Sequence, residues 1–167
     1  MSIIGLSLLD DLVVNEGMKD VDKILIKMRE HIIEHLQQTG EAGEARDGMD
    51  IALCKMNKEI VEFAGAFNPM VIIRNNEVIE IKGDAQPIGY YTDEKIPFTK
   101  HKIKIEKGDM LYVYSDGFQD QFGGEKGRKY MGYRFKQKLL NISSETCQKQ
   151  LQTLNDEFEN WKGDNEQ

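Results

Sequence analysis

The spacing of apolar residues predicts helices near both ends of the chain and strands between them. Apolar side chains recur every three or four residues over 1–14 and again from Val21 to Leu36, where Asp20 lies in the N-cap position. Strand-like runs follow at 49–56, 60–66, 70–74, 77–81, 102–105 and 110–114, and two further helices are predicted at 133–140 and 147–161. Runs of helices and strands, rather than strict alternation, predict an α+β fold.

Polar and glycine-rich breaks in this pattern predict the turns. Asn57-Lys58 and Asn75-Asn76 fit tight hairpin turns, and Ser143-Ser144-Glu145 offers capping signals for the last helix, whose predicted stripe is Leu151, Leu154 and Phe158. The loop at 123–129 combines glycines with basic residues, a composition that can bind phosphate. It lacks the Walker spacing, which favours a solvated surface loop.

The stretch 108–124, GDMLYVYSDGFQDQFGG, carries the chemistry of the chain. Its apolar run 110–114 predicts a strand buried on both faces, and Ser115-Asp116-Gly117 follows at once. A carboxylate at a strand end, before a glycine that allows a sharp turn, is suited to a hard metal ion. Asp is also a favoured N-cap, so Asp116 has two readings here, a metal ligand or a helix cap.

Bulk composition narrows the function classes. A chain of 167 residues suits one domain, and a net charge of -7 argues against nucleic acid, which requires clustered basic residues. No apolar run reaches the roughly 20 residues of a membrane helix, and no signal peptide is visible. Cys54 and Cys147 form no CxxC pair, which predicts reduced thiols in a cytoplasmic protein.

The helix at 20–38 contains a pattern typical of zinc peptidases. His31-Ile32-Ile33-Glu34-His35 matches H-x-x-E-H, and two histidines four residues apart can chelate zinc. Zinc needs a third protein ligand, and the only other histidine is His101, in a predicted turn. The edge of a half-buried helix is therefore the favoured interpretation.

Three motifs in order resemble the PPM (protein phosphatase 2C-like) metal-dependent serine/threonine phosphatases, in the bacterial branch typified by the stage II sporulation phosphatase. They are Leu111-Tyr112-Val113-Tyr114-Ser115-Asp116-Gly117 with Asp120 after it, Phe63-Ala64-Gly65-Ala66-Phe67-Asn68-Pro69 followed by a hairpin and Pro87-Ile88-Gly89, and Arg46-Asp47-Gly48-Met49-Asp50. The resemblance implies an antiparallel β-sandwich flanked by helix pairs. The family's amino-terminal Asp…Gly-His-Gly motif and its carboxy-terminal acidic pair are absent. Residues 1–167 are therefore expected to be a single domain that lacks its first strands and last strand.

The resemblance also implies a chemistry. Two manganese or magnesium ions would activate a water that attacks phosphoserine or phosphothreonine on a bacterial regulatory protein. Asp116 maps onto a metal ligand of the family. Asp47 and Asp50 lie in a matched region, with a turn and a strand start as their alternative, and Asp120 is expected to be an outer acid or a surface charge. In the family, the helices equivalent to residues 1–38 form a dimer interface. The resemblance therefore implies a homodimer through residues 1–38. The alternative function is a catalytically incomplete domain that binds partners or dimerises.

Overall fold

The computed structural model describes residues 2–41, 47–91 and 96–166, and its secondary structure follows the predicted order. The elements are α1 (Ser2–Asp10), a π-helical turn (Asp11–Asn15), α2 (Val21–His35), β1 (Ile51–Met56), β2 (Ile60–Ala66), β3 (Met70–Arg74), β4 (Glu77–Ile81), β5 (His101–Lys104), β6 (Met110–Val113), α3 (Gly117–Asp120), β7 (Phe122–Gly123), β8 (Arg128–Lys129), α4 (Gly132–Ile142) and α5 (Cys147–Lys162). They divide into two compact units, Met1–Met70 with Ile81–Glu106 and Val71–Glu80 with Lys107–Gln167.

The first unit packs α2 against an antiparallel sheet in the order β1-β2-β5, and α1 packs against α2. The apolar stripe of α2 is buried as predicted from Val21 to Ile32, because it faces β2 and the end of α1, whereas Leu36 at the end of the predicted stripe is 37% exposed. The buried cluster comprises Leu12, Val21, Ile24, Leu25, Met28, Ile32, Ala64, Ala66, Ile88 and Phe98. One charge is buried with them: Arg29 donates to Gln86 Oε1 at 2.8 Å and stacks over the Phe98 ring at 5.0 Å. Burial lowers the pKa of the Arg29 guanidinium.

The start of α2 differs from the prediction in its chemistry. Asp20 lies in the N-cap position, but its carboxylate makes no capping hydrogen bond. It accepts instead from Lys100 Nζ at 2.6 Å. This bond lowers the pKa of Asp20 and raises that of Lys100, so the ion pair ties α2 to the segment before β5.

The hairpin between β1 and β2 has its predicted strands, while its turn lies one residue later than expected. The Asn57 N–H donates to the Ile60 carbonyl at 3.0 Å, which leaves Lys58 and Glu59 as the central residues. The Asn57 side-chain oxygen accepts from the N–H groups of Glu59 and Ile60 at 2.9 and 2.8 Å. Asparagine therefore fixes this turn through its side chain, without a glycine.

The sheet of the second unit has the order β4-β3-β6, and this order corrects one prediction. The run that ends before Asp116 is not buried on both faces, since β6 is an outer strand and Val113 is 51% exposed. The central strand is β3, whose first four residues are all buried. The predicted Asn75-Asn76 turn is confirmed, with φ angles of 50° and 62° that are typical of a type I′ hairpin turn.

The helices of the second unit surround an aromatic cluster. Phe118, from α3, lies 4.6 Å from Phe135 and 5.1 Å from Tyr130, measured between ring centroids. Tyr130 in turn contacts Trp161 of α5 at 5.3 Å. The predicted α5 is confirmed, but Thr146 caps it, accepting from the Lys149 N–H, rather than the serines before it. Leu151, predicted to belong to its apolar stripe, is 70% exposed.

A polar network closes this cluster at Glu157. The Tyr130 hydroxyl donates to Glu157 Oε1 at 2.8 Å, and Lys138 Nζ lies 2.7 Å from Glu157 Oε2. Burial alone would raise the pKa of Glu157, but the hydrogen bonds from Lys138 and Tyr130, together with the positive charges of Lys138 and Arg134, outweigh burial and lower that pKa. Burial and the bond to Glu157 raise the pKa of Tyr130 to about 12. The network therefore holds an ionised carboxylate beside a neutral phenol.

The described structure combines helices with antiparallel sheets, which confirms the predicted fold class. No helix among residues 2–41, 47–91 and 96–166 is long and apolar enough to cross a membrane. Cys54 and Cys147 are free thiols.

Candidate functional site

Asp116 stands between β6 and the four-residue helix α3, at the position where the sequence predicts a ligand or a cap. Its backbone is helical, with φ -70° and ψ -13°, and its carbonyl accepts from the Asp120 N–H at 2.8 Å. Its carboxylate makes no capping hydrogen bond to that helix. Within the part of the chain that the structure describes, the exposed Asp116 carboxylate forms no hydrogen bond or ion pair. Asp116 occupies the N-cap position of α3, but its side chain does not cap the helix. The carboxylate is therefore open to a ligand.

The neighbours of Asp116, Gly117 and Tyr114, offer no ionised oxygen to a metal ion. The Asp116 carboxylate is therefore the candidate ligand at the end of β6. Gly117 is the first residue of α3, and a Cβ there would meet only Ser115 Oγ at 3.6 Å, an ordinary contact. The glycine is therefore not required for a sharp turn, contrary to expectation. Burial, followed by the charge of Glu80, raises the pKa of Tyr114 to about 12. The Tyr114 phenol is thus neutral, and it packs edge-on against Phe135 at 4.8 Å.

Asp120 is engaged by a cation from the hairpin that follows it. Lys129 Nζ lies 2.7 Å from Asp120 Oδ2, and both side chains are about half exposed. Two backbone hydrogen bonds hold the residues just after Lys129 beside α3. The Tyr130 N–H donates to the Gln121 carbonyl at 2.9 Å, and the Met131 N–H donates to the Gln119 carbonyl at 2.8 Å. Asp120 is thus a paired surface charge, one of the two roles that the sequence analysis expected.

The glycine-rich loop at 123–129 is a β-hairpin, formed by β7 and β8. A Cβ at residue 123 would overlap the Trp161 carbonyl oxygen, and one at residue 124 would lie 2.7 Å from the Trp161 ring. The Gly124 N–H donates to the Trp161 carbonyl at 2.8 Å. These two glycines are therefore needed for the close approach of α5, which gives them a structural role in place of the phosphate cradle.

Asp47 and Asp50 lie in the first unit, in the segment that leads into β1. Met49 and the Pro87-Ile88-Gly89 segment are joined by two backbone hydrogen bonds, from Met49 N–H to the Ile88 carbonyl at 3.0 Å and from Ile88 N–H to the Met49 carbonyl at 2.8 Å. Two of the three resembling motifs are therefore brought together. Arg46, the first residue of one motif, lies outside the described residues.

Gln38, just beyond α2, also fixes this segment. Its Nε2 donates to the Asp47 carbonyl at 2.6 Å, and its Oε1 accepts from the Tyr90 N–H at 2.9 Å. The Asp47 and Asp50 side chains are exposed. Asp116 belongs to the other unit.

The motif at 63–69 forms a tight, strained corner after β2. Phe67 has a φ of +55°, which is costly for a residue with a Cβ, and its ring packs edge-on against Tyr91 at 6.1 Å. Its N–H donates to the Asp84 carbonyl at 2.9 Å, and the Asp84 N–H donates to the Gly65 carbonyl at 2.8 Å. A Cβ at residue 65 would collide with the Asn68 carbonyl oxygen and lie 3.0 Å from Gly83. Glycine at 65 is thus needed for this close approach.

The donor set fits a metal ion only in part. Asp116 offers the open carboxylate oxygen that manganese or magnesium prefers. No group of three His, Cys, Asp or Glu side chains is gathered among the described residues, whether at Asp116 or at His31 and His35. The His31 and His35 pair therefore stays at a helix edge, where it lines a groove of about 660 Å³ with Ile3, Ile4 and Leu8.

One family model matches this chain in sequence, and solved phosphatase domains are similar to it in fold. A family model described as stage II sporulation protein E (SpoIIE) matches residues 13–167. The solved structure of the SiaA-PP2C domain of Pseudomonas aeruginosa is similar with a TM-score of 0.84 and 22% identity, over 98% of this chain and 63% of that chain. The phosphatase domain of the cell fate determinant SpoIIE from Bacillus subtilis, presoaked with Mn, has a TM-score of 0.54 and 17% identity, over 96% of this chain and 66% of its own. No curated protein matches the sequence significantly.

At these identities the solved structures establish the fold, which is that of PP2C-like domains, as the resemblance predicted. The chain spans 63% of the length of the first matched domain and 66% of the second.

Proposed function

This chain belongs to the stage II sporulation protein E (SpoIIE) family, and from that premise we propose that it forms part of a metal-dependent protein serine/threonine phosphatase. One observation carries the proposal: the Asp116 carboxylate is exposed at the end of β6 and makes no capping bond to α3. The Asp116 carboxylate thus has no hydrogen-bonding role in the helix that it begins, which leaves its oxygens open to a ligand.

The metal-dependent chemistry proposed here assigns a role to each candidate acid. Two manganese or magnesium ions would supply a bound water for attack on phosphoserine or phosphothreonine. Asp116 would hold one ion through a carboxylate oxygen. Asp47 and Asp50 stay proposed as metal-binding acids of the first unit, where Gln38 and the bonds between Met49 and Ile88 hold their backbone segment. The substrate would be a phosphorylated regulatory protein in the cytoplasm.

A homodimer through residues 1–38 is the second part of the proposal. Ile3 is 84% exposed and Leu6 is 68% exposed, so α1 presents an apolar surface. Leu8, Leu9 and Ile26 contribute less to this surface, because they are partly buried against the core of the first unit. A second copy of α1 and α2 is the occupant that would cover the remaining apolar surface.

The apolar groove beside α1 favours the alternative function as well. It has a volume of about 710 Å³ and is lined by residues of α1, the π-helical turn, α2 and β1, among them Leu6, Val13, Val14 and Leu53. In the alternative, the domain is catalytically incomplete and acts through this surface as a dimerisation module.

Enzyme assays distinguish the two functions. We expect the 167-residue chain to hydrolyse p-nitrophenyl phosphate slowly even in excess manganese, because one open carboxylate cannot hold two ions. In a longer chain that completes the ligand set, Asp116→Asn should lower turnover by orders of magnitude with little change in melting temperature. If the variant unfolds while each folded molecule keeps its activity, Asp116 is structural and is not a metal ligand. If the longer chain shows no manganese-dependent turnover, the alternative function is favoured.

A further inference from the structure

Basic residues are concentrated around the β7–β8 hairpin, although the chain as a whole is acidic. Residues 122–138 contain six of the chain's 22 basic residues and only one of its 29 acidic residues, while the net charge of the whole chain is -7. Acids of the second unit engage four of these six: Lys129 pairs with Asp120, Lys136 with Glu80, and both Arg134 and Lys138 with Glu157.

The other two basic residues of this stretch, Lys126 and Arg128, are not engaged within the chain. Lys126 lies in the turn of the hairpin and Arg128 lies in β8, and both are exposed. Their side chains form no hydrogen bond, ion pair or ring contact with residues 2–41, 47–91 or 96–166. Their charges can therefore be removed without disturbing the fold, and they are available to a partner.

Apolar side chains are exposed beside these cations. Phe122, in β7, is 52% exposed, and Met131, two residues after β8, is 60% exposed. Phe122 pairs with Lys129 across the hairpin, and Lys129 Nζ lies 5.9 Å from the centroid of the Phe122 ring. Met131 is held at a φ of +79°, a costly conformation for a residue with a Cβ, while its N–H donates to the Gln119 carbonyl. The hairpin thus presents apolar and cationic side chains together.

The hairpin is rigid because α5 anchors it. The Trp161 carbonyl accepts from the Gly124 N–H at 2.8 Å, and Trp161 Nε1 donates to the Gln121 carbonyl at 3.0 Å. Gln121 is buried, and its Nε2 donates to the Phe122 carbonyl at 3.0 Å. A surface fixed by such bonds loses little conformational freedom when a partner binds, which favours binding.

We propose that the β7–β8 hairpin is a docking surface for an acidic segment of a partner protein. Lys126 and Arg128 bind carboxylates of that segment, and charge complementarity selects it. Phe122 and Met131 contact an apolar side chain between those carboxylates, in keeping with the enrichment of aromatic residues, methionine and arginine at protein interfaces. Nucleic acid and anionic membranes fit less well, because both are bound through larger sets of cations than this unpaired pair. The inference does not depend on a metal at Asp116.

A random peptide library tests the inference without knowledge of the natural partner. Short phage-displayed peptides would be selected on the immobilised 167-residue chain, and enriched peptides would be synthesised and titrated by fluorescence anisotropy. We expect these peptides to be acidic and to carry an apolar residue among the acids. The double variant Lys126→Gln, Arg128→Gln should weaken their binding by about fivefold, because two exposed ion pairs are lost. Phe122→Ser should weaken binding by about tenfold.

Matched variants elsewhere in the second unit serve as controls. Lys107→Gln with Lys149→Gln removes two exposed charges, and Leu151→Ser removes an exposed apolar side chain of α5. Each control should change the affinity by less than about twofold. The amide NMR signals of residues 122–131 should shift on addition of peptide. Equal losses in the hairpin and control variants, or enriched peptides with no acidic bias, would overturn the inference.

Two other anionic probes test the competing partners. Neither a single-stranded RNA nor phosphatidylserine vesicles should displace an enriched peptide at physiological ionic strength. Displacement by either probe that is lost in the Lys126→Gln, Arg128→Gln variant would assign the hairpin to nucleic acid or to a membrane, and would overturn the inference. The double variant should keep the melting temperature of the unmodified chain, so a loss of peptide binding in it reports on the surface and not on unfolding.

Discussion

The ion pair between Arg74 and Asp109 gives the sharpest stability prediction in the second unit. Arg74 Nε donates to Asp109 Oδ1 at 2.9 Å and Nη2 donates to Oδ2 at 2.6 Å, a bidentate arrangement. The Asp109 side chain is only 2% exposed. Arg74→Met keeps most of the side-chain volume and leaves that carboxylate buried without its guanidinium.

The expected cost follows from burial. Removing one partner of a buried ion pair costs about 3–5 kcal/mol, because the remaining charge has lost its solvation and its partner. Lys136 and Glu80 form a matched control pair in the same unit, at 2.9 Å with side chains 24% and 31% exposed. Lys136→Met should cost about 1 kcal/mol or less. The two variants should therefore differ by roughly 3 kcal/mol.

Urea unfolding measured by fluorescence can resolve this difference. Trp161 is the only tryptophan and lies in the second unit, so its emission reports on that unit. With a denaturant slope of about 1–3 kcal/mol/M, the unfolding midpoint of Arg74→Met should lie about 1–3 M below that of Lys136→Met. Adding Asp109→Asn should recover part of the loss, because no ionised group is then left buried. An Arg74→Met variant as stable as Lys136→Met would refute the reasoning.

Three further predictions concern other parts of the molecule. Gly123→Ala should destabilise the second unit by about 2 kcal/mol or more in the same assay, because its Cβ would overlap the Trp161 carbonyl, whereas Gly127→Ala, in open space at a φ of +54°, should cost only about 1 kcal/mol. Folding lowers the pKa of Glu157, so this residue stabilises the fold at pH values above its ordinary pKa of 4.5, and the stabilisation is lost as the pH falls through the lowered pKa of the folded state. Glu157→Gln should therefore make the free energy of unfolding depend less on pH in this acidic range. Ile33→Glu should weaken the proposed dimer in analytical ultracentrifugation, and an unchanged clean monomer at tens of micromolar would remove that proposal.

Most of the fold was predictable because local signals and packing agree. Hairpin β3–β4 has both its strands and its turn as predicted, since Asn75 and Asn76 tolerate positive φ. The apolar stripe of α2 also becomes buried from Val21 to Ile32, as its periodicity predicts. In such segments the period of the sequence leaves one favourable way to bury the apolar side chains.

The errors arise where long-range partners decide the outcome. Strands β3 and β6 are similarly apolar, and only the sheet order makes β3 central and β6 outer. The Asp109 side chain, just before β6, is buried against Arg74, which lies 35 residues away in the sequence. Gln150, a polar residue of α5, is buried because it accepts from the Tyr112 hydroxyl at 2.8 Å and donates to the Glu145 carbonyl at 2.9 Å. Periodicity does not report such pairings.

The candidate site was predictable to a similar extent. The motif identified Asp116, but the choice between cap and ligand required the side-chain geometry. The cation that pairs with Asp120 comes from a hairpin that the sequence analysis treated as a surface loop. A glycine-rich stretch does not reveal that Trp161 requires its glycines.

The central claim is that the Asp116 carboxylate is an open metal ligand, and site-resolved manganese binding tests it most directly. In the unmodified chain, low concentrations of manganese should broaden the amide NMR signals of residues 115–117 before others. Asp116→Asn should abolish this selective broadening with little change in melting temperature, while Asp164→Asn, which removes an equally exposed charge from the same unit, should leave it intact. Broadening that persists unchanged in Asp116→Asn would contradict the account.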